Sequence, residues 1–220
     1  MYSVGLLVMT DGRGDYLRNT ITSMNEHLKV NFDWKFMVDD SGEFGYREYL
    51  QDTYRSEFNM VLKEERRGLA DSVAMGWDYA FASGVDYLFH LEEDFTFNIG
   101  VDVNAMVQLL KNNPHLAQLA LKRDCVNPAE SEVGGFMGQR PDDYEDREGF
   151  VEQSHLFTLN PCLIPRHTLM VEWPKNGGER EFTDKVMATR SDIKFGYLGQ
   201  VADPPLVTHI GSARSEGWKL

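Results

Sequence analysis

Cysteine is scarce in this chain: Cys125 and Cys162 are the only two among 220 residues. Two thiols without close paired spacing make neither a disulfide framework nor a zinc site, so both are expected to be reduced and structural. No run of about eighteen apolar residues occurs, which argues against a membrane-spanning helix. No basic amphipathic segment suggests a membrane surface either. The opening stretch Val4-Gly5-Leu6-Leu7-Val8-Met9 follows no basic region of the kind that begins a secretory signal. Together these absences lead to the expectation of a soluble, cytoplasmic protein with no membrane partner. Positive charge is also short: 35 acids outnumber 22 bases, for a net charge of −13. Nucleic-acid affinity comes largely from cationic contacts to phosphate, so general DNA or RNA binding is not expected. Some of the acids could surround a metal ion that would partly neutralise them.

What is present is a chain of one-domain size, 42% hydrophobic, whose apolar runs alternate between strand and helix patterns. Val4 to Thr10 reads as a strand, followed by the turn Asp11-Gly12-Arg13-Gly14-Asp15. A helix follows, in which Leu17, Ile21, Met24 and Leu28 recur at spacings of four and three residues. Trp34 to Val38 is a second strand ended by Asp39-Asp40-Ser41-Gly42, Tyr46 to Tyr54 a helix, and Phe58 to Leu62 a third strand. A helix from about Leu69 to Ala82, stopped by Gly84, leads to the strand Tyr87 to Leu91. Alternation of this kind predicts an α/β fold with a mostly parallel central sheet flanked by helices. Beyond a helix at Val103 to Asn112 and a strand at Ala117 to Lys122, residues 127 to 149 are rich in Gly, Pro, Asp and Glu and read as a lid or binding loop. A short strand Phe157-Thr158-Leu159, a helix Phe182 to Thr189 and a last strand Pro205 to His209 follow.

The stretch Leu88-Phe89-His90-Leu91-Glu92-Glu93-Asp94 carries the chemistry. Bulky hydrophobes followed at once by three acids predict a buried strand whose C-terminal tip places oxygen ligands at the mouth of a sheet, where open α/β folds bind ligands. Such ligands suit Mg²⁺ or Mn²⁺ shared with substrate phosphates. The plainer alternative is a solvated acidic turn.

Five pieces in order resemble one family. Val8-Met9-Thr10-Asp11-Gly12-Arg13-Gly14-Asp15-Tyr16-Leu17 is similar to the strand and Pro-Thr-Tyr-Asn-Arg-like turn that open family 2-like glycosyltransferases. Phe36-Met37-Val38-Asp39-Asp40-Ser41 resembles their second strand, with its nucleobase-reading acids. Arg67-Gly68-Leu69-Ala70 resembles the Gly-containing start of the helix before the metal strand. Glu92-Glu93-Asp94 falls where the family carries its Asp-x-Asp metal motif. Val207-Thr208-His209-Ile210-Gly211 resembles the late strand and His-x-Gly of many members. The turn lacks the family's Pro, Tyr and Asn, the helix after Gly68 lacks the Arg-Asn pair, and Glu92 replaces the first Asp.

The resemblance spans essentially the whole chain. It implies a single GT-A (nucleotide-diphospho-sugar transferase) domain over 1–220, with a nucleotide-binding half at 1–100 and an acceptor half at 101–220 that ends in a tail. The implied activity is a metal-dependent, inverting glycosyltransferase, with a nucleotide-diphosphate sugar as donor and a protein, glycan or modified base as acceptor. Asp94, Glu92 and His209 are then the candidate ligands of Mn²⁺ or Mg²⁺. Thr10, Asp11, Asp39, Asp40, Gly68, Glu93 and Arg214 are the candidate donor-binding residues. An inverting transfer needs a carboxylate base for the acceptor hydroxyl. By resemblance it lies in Gly177-Gly178-Glu179-Arg180-Glu181-Phe182-Thr183-Asp184, where Glu181 is the first choice and Glu179 and Asp184 are alternatives, since Phe182 stands where the family has a second acid.

Each residue also has a structural reading. Asp39 and Asp40 can cap a turn, Gly68 can be a helix-entry glycine, His209 a hydrogen-bonded strand-end histidine and Arg214 a solvated terminal arginine. Acids at 179 to 184 are ordinary partners of a helix dipole, and Trp173 is either a stacking platform or core. Two alternative functions remain open on sequence. One is a catalytically silent nucleotide- or carbohydrate-binding protein of this fold. The other is a sugar nucleotidyltransferase, which the absence of a Gly-rich triphosphate loop disfavours.

Overall fold

The computed structural model describes residues 2–175 and 177–211. The chain begins as three strand–helix–strand steps. β1 (Val4–Thr10) leads to α1 (Gly14–His27), the short β2 (Leu28–Lys29) and β3 (Trp34–Asp39); α2 (Phe44–Tyr54) leads to β4 (Asn59–Leu62) and α3 (Leu69–Ser83) to β5 (Tyr87–Glu92). Every residue of β1 is buried, as expected of a strand covered by helices on both faces. α3 starts at Gly68, where φ is +91°, and ends at Gly84, left-handed at φ +84°. Glycine tolerates both conformations without the Cβ penalty that other residues carry.

The second half is less regular. It comprises β6 (Phe95–Phe97), β7 (Val101–Asp102), α4 (Val103–Asn112), β8 (Leu116–Ala120), α5 (Pro128–Glu132), α6 (Gly135–Gly138), β9 (Tyr144–Arg147), β10 (Phe150–Gln153), β11 (Cys162–Pro165), α7 (Arg166–Leu169), α8 (Glu179–Thr189), β12 (Lys194–Leu198) and β13 (Val207–His209). The segment expected to be one long loop at 127 to 149 thus holds two short helices and an edge strand. Asn127 caps the first of these by accepting from Glu130 N at 2.9 Å.

Nine strands form the main sheet in the order β4-β3-β1-β5-β11-β8-β12-β10-β9. The sheet is parallel from β4 to β5 and again between β8 and β12; β11 runs antiparallel to both its neighbours, as does β10. The central sheet flanked by helices is thus mostly parallel, as expected, with β11 and β10 the strands that run the other way. One apolar layer packs α1, α2 and α4 on one face, with Leu17, Met24, Leu50 and Met106 at its centre. The other packs α3, α7 and α8 on the opposite face through Trp77, Leu169, Phe182 and Val186.

Two expected strands differ. Phe157-Thr158-Leu159 forms no strand and joins no sheet. Its three amides donate instead to side chains, Phe157 N to Thr183 Oγ1 at 2.8 Å, Thr158 N to Gln118 Oε1 at 2.8 Å and Leu159 N to Glu179 Oε1 at 2.5 Å. The last strand, β13, pairs with β6 outside the main sheet.

Candidate active site

The register of the parallel strands builds the site. Thr10 ends β1 opposite the acid turn that ends β5, because Met9 pairs with Glu92 and Glu93 N donates to Met9 O at 2.9 Å. Glu93 is turned inward and only 1% exposed. Its carboxylate takes a short hydrogen bond from Thr10 Oγ1 and a 2.6 Å ion pair from Arg13 Nε. Tyr46 OH stands 2.5 Å from Thr10 Oγ1, and Thr20 Oγ1 donates to Glu93 O at 2.5 Å. Burial, reinforced by the Glu93 charge, raises the Tyr46 phenol, so it is a neutral hydroxyl here. Arg13, Tyr46 and Thr20 were not singled out from sequence. Arg13 had a signal, since it occupies the arginine position of the family-like turn.

Asp94 follows, and the pairing of β6 with β13 brings His209 to it: His209 lies across from Phe95 in register, and Ile210 N donates to Asp94 O at 2.8 Å. Asp94 Oδ2 is 3.3 Å from His209 Nε2 and 2.9 Å from Arg13 Nη1. Burial alone would raise this carboxyl, but His209 and Arg13 outweigh it and hold Asp94 below the ordinary carboxylate value. Its other oxygen, Oδ1, is buried with no hydrogen-bond partner among the described residues. Gly211 packs so close that a Cβ there would collide with the Asp94 carboxylate.

Glu92 faces the cleft beside this pair. Although 22% of its side chain reaches solvent, protein surrounds it closely; that burial, then the Asp94 charge, pushes its carboxyl up to about 8. Among the described residues, no three His, Cys, Asp or Glu side chains converge closely enough to form a complete metal cage. Of the three expected ligands, Asp94 and His209 are in direct contact, and Glu92 stands beside them. That pair still fits a divalent ion of the Mg²⁺ or Mn²⁺ type, which is commonly held by one or two protein ligands plus waters and substrate phosphates. The orphaned Asp94 Oδ1 is the acceptor such an ion would satisfy.

At the tip of β3 the acids are used internally. Asp39 has no exposed surface and accepts from Ser41 N at 3.0 Å and Ser41 Oγ at 2.8 Å, while burial raises its carboxyl. Asp40 accepts from Lys63 Nζ at 3.0 Å, Arg67 N at 2.9 Å and Gly68 N at 2.7 Å. These bonds fix the entry to α3. Asp11 is half exposed and pairs with Arg66 at 2.7 Å. No side chain or backbone lies within 4 Å of a Cβ placed on Gly68, so open space stands beside it.

A cleft of about 1120 Å³ runs from Glu92 and His209 across the second half of the protein. Asn127, Phe136, Gln139, Arg140 and Tyr144, all from the segment expected to form a binding loop, line it. Of the three candidate bases, the structure brings Glu179 alone to its wall. Glu179 opens α8, accepts from Leu159 N, and has its carboxyl raised by burial despite that hydrogen bond. Glu181 and Asp184 are 57% and 64% exposed and reach toward Lys185 and Arg180. The helical period explains this: residue 179 shares its inward face with Phe182 and Val186. Trp173 is buried and stacked on Phe182 with ring centroids 4.7 Å apart, and it also borders the cleft. His90, expected only as a strand residue, is fully buried with neither ring nitrogen hydrogen-bonded among the described residues, and burial lowers it to about 4. Arg214 lies outside the described residues.

No family model and no curated protein matches this sequence. Solved structures do. The mannosyltransferase PcManGT from Pyrobaculum calidifontis, in complex with GDP-Man and Mn²⁺, aligns over 99% of this chain and 59% of its own with a TM-score of 0.65 at 13% identity. GalNAc-T7 with UDP, GalNAc and Mn²⁺ aligns over 95% of this chain and 44% of its own, with a TM-score of 0.63 at 12% identity. TarS 1-349 from S. aureus aligns over 95% and 60%, with a TM-score of 0.59 at 12% identity. This chain has the GT-A fold. It spans between 44% and 60% of the length of these chains.

No helix among the described residues is long and apolar enough to cross a membrane.

Proposed function

We propose that this protein is a metal-dependent glycosyltransferase that moves a sugar from a nucleoside-diphosphate donor to an acceptor hydroxyl. The observation that carries the reading is the Asp94–His209 pair, 3.3 Å apart just beyond the tip of β5, with His209 and the neighbouring Glu92 lining the cleft of a GT-A fold. Its structural neighbours were solved with UDP, GDP-Man and Mn²⁺, which supports the donor class.

Asp94 and His209 would hold Mn²⁺ or Mg²⁺, with Glu92 reaching it through water. A divalent ion there supplies Lewis-acid stabilisation of the negative charge that develops on a departing diphosphate. Glu93 and Thr10 hold the acid turn in place from beneath. The nucleoside would lie by the tips of β1 and β3, where Asp11 and the open space beside Gly68 face it. There Asp39 and Asp40 shape the pocket through the turn and the α3 entry rather than by offering free carboxylates.

Glu179 takes the role of base in this reading, in place of Glu181 and Asp184. It lies on the cleft wall, one of its oxygens is fixed by Leu159 N–H, and burial raises its proton affinity toward that of a useful general base. In an inverting transfer such a base takes the proton of the acceptor hydroxyl as that oxygen attacks the anomeric carbon and the nucleoside diphosphate departs.

The test is turnover of a panel of nucleotide sugars in Mn²⁺, read as nucleoside diphosphate released. One donor is expected to be hydrolysed slowly without acceptor, and Glu179→Gln is expected to keep nucleotide affinity while losing about 10²–10⁴-fold in rate with acceptor. Binding of a diphosphate without turnover of any donor would leave a binding protein of this fold instead.

A further inference from the structure

Arg13 sits in the turn between β1 and α1 and makes two contacts at once: Nε to Glu93 Oε1 at 2.6 Å and Nη1 to Asp94 Oδ2 at 2.9 Å. The two acids are 1% and 7% exposed. Adjacent buried carboxylates are costly unless a counter-charge faces them. The guanidinium's planar fork serves two acceptors where a point charge serves one.

The position of this fork has a consequence for the metal-dependent reading above, on which the inference rests. The Asp94 oxygen that Arg13 holds is the same oxygen that faces His209, and both oxygens belong to the carboxylate that would bind the cation. Cation and guanidinium therefore compete for Asp94, and a metal entering alone meets a positive charge about 3 Å from its ligand atom. The bond to Glu93 gives Arg13 a second anchor, so release of Asp94 leaves Nη1 free for another anion.

We propose that Arg13 is a specificity-determining residue that acts as an internal counter-cation. It holds Glu93 and Asp94 together in the absence of metal and disfavours the metal alone. Divalent-ion binding is thereby coupled to arrival of the anionic diphosphate that takes up its charge. Such coupling is reciprocal, so the metal improves diphosphate affinity by the same factor.

The test measures free Mn²⁺ by electron paramagnetic resonance, with and without UDP or GDP, in the wild type, Arg13→Gln and Arg13→Lys. A neighbouring like charge commonly changes ionic affinity by about tenfold or more, so Arg13→Gln is expected to bind Mn²⁺ alone at least about tenfold more tightly than the wild type. Its gain in Mn²⁺ affinity on adding nucleotide is expected to shrink. Arg13→Lys, which keeps the charge but cannot bridge both acids, is expected to lie between the two. It also serves as the test if thermal unfolding shows Arg13→Gln misfolded. A loss of scaffolding alone would weaken the metal rather than tighten it, so equal or weaker Mn²⁺ binding in the variants beside a wild type that binds overturns this proposal and leaves the transferase reading standing. Absence of Mn²⁺ binding to the wild type even with nucleotide overturns both.

Discussion

The two halves of this chain are built on different terms. In the first, β1, β3, β4 and β5 pair in parallel, each is joined to the next through a helix, and the tips of three of them end in acids or hydroxyls that meet at one edge. In the second, strands pair in both directions and the segment at 157–159 is held by Thr183, Gln118 and Glu179 side chains instead of a neighbouring strand. Repeated local units place polar side chains of one kind at one edge, whereas long-range side-chain bonds shape the cleft beside it.

The halves are joined by aromatic packing, and removing the joint should have the largest effect on stability. Trp77 on α3 meets Trp173, Phe182 and Phe157 with ring centroids 5.2, 5.0 and 5.7 Å away. Trp77→Ala is expected to cost about 3–5 kcal/mol in urea unfolding; a loss below about 1 kcal/mol would show that the halves do not depend on this contact.

Within the first half, Asp40→Ala strands two backbone N–H groups and takes one of two carboxylates from the buried Lys63 ammonium, which keeps Asp71 at 2.7 Å. About 2 kcal/mol of stability should be lost. Burial alone would raise Asp40, but the Arg67 N–H and Lys63 outweigh it and its carboxyl lies below the ordinary value. A depressed acid contributes stability that is present at neutral pH and lost as pH falls through the folded value. The wild type should therefore weaken below about pH 4, and Asp40→Asn should weaken less steeply there.

Glu92 has the opposite sign. Burial, then Asp94, raise it from 4.5 to about 8, so the native state holds this proton more tightly than the unfolded chain does. Its contribution is complete below the unfolded value and is lost as pH rises toward 8. Glu92→Gln should therefore raise the unfolding free energy at pH 8, by on the order of 1 kcal/mol, and leave it unchanged at pH 4. The smallest effect is expected at Gly84, whose φ of +84° disfavours a side chain although nothing lies within 4 Å of a Cβ. Gly84→Ala should cost about 1 kcal/mol, from backbone conformation alone.

The same contrast governs what could be read from sequence. The first-half strands were legible to within a residue or two, because each is an apolar run cut off by Asp, Glu or Gly, and the acid turn announced the site edge. β10, β11 and β12 were not, since short strands with partners far along the chain carry no local period to mark them. Phe157-Thr158-Leu159 reads as a strand because it is largely apolar, but its amides are satisfied by side chains that sequence spacing does not bring together. Glu179 was legible only as one of three acids, and the inward face shared with Phe182 and Val186 selects it. Arg13 was visible in the turn, yet its double contact with Glu93 and Asp94 depends on the β1–β5 register.

The most direct test of a metal-assisted nucleotide site at that register is calorimetric titration of UDP, GDP and the other common nucleoside diphosphates, with and without Mn²⁺, into the wild type and Asp94→Ala. The account predicts that one diphosphate binds in a Mn²⁺-dependent manner and that Asp94→Ala loses more than about tenfold of that affinity. Metal-independent binding that Asp94→Ala leaves unchanged, or no binding of any diphosphate, would contradict it.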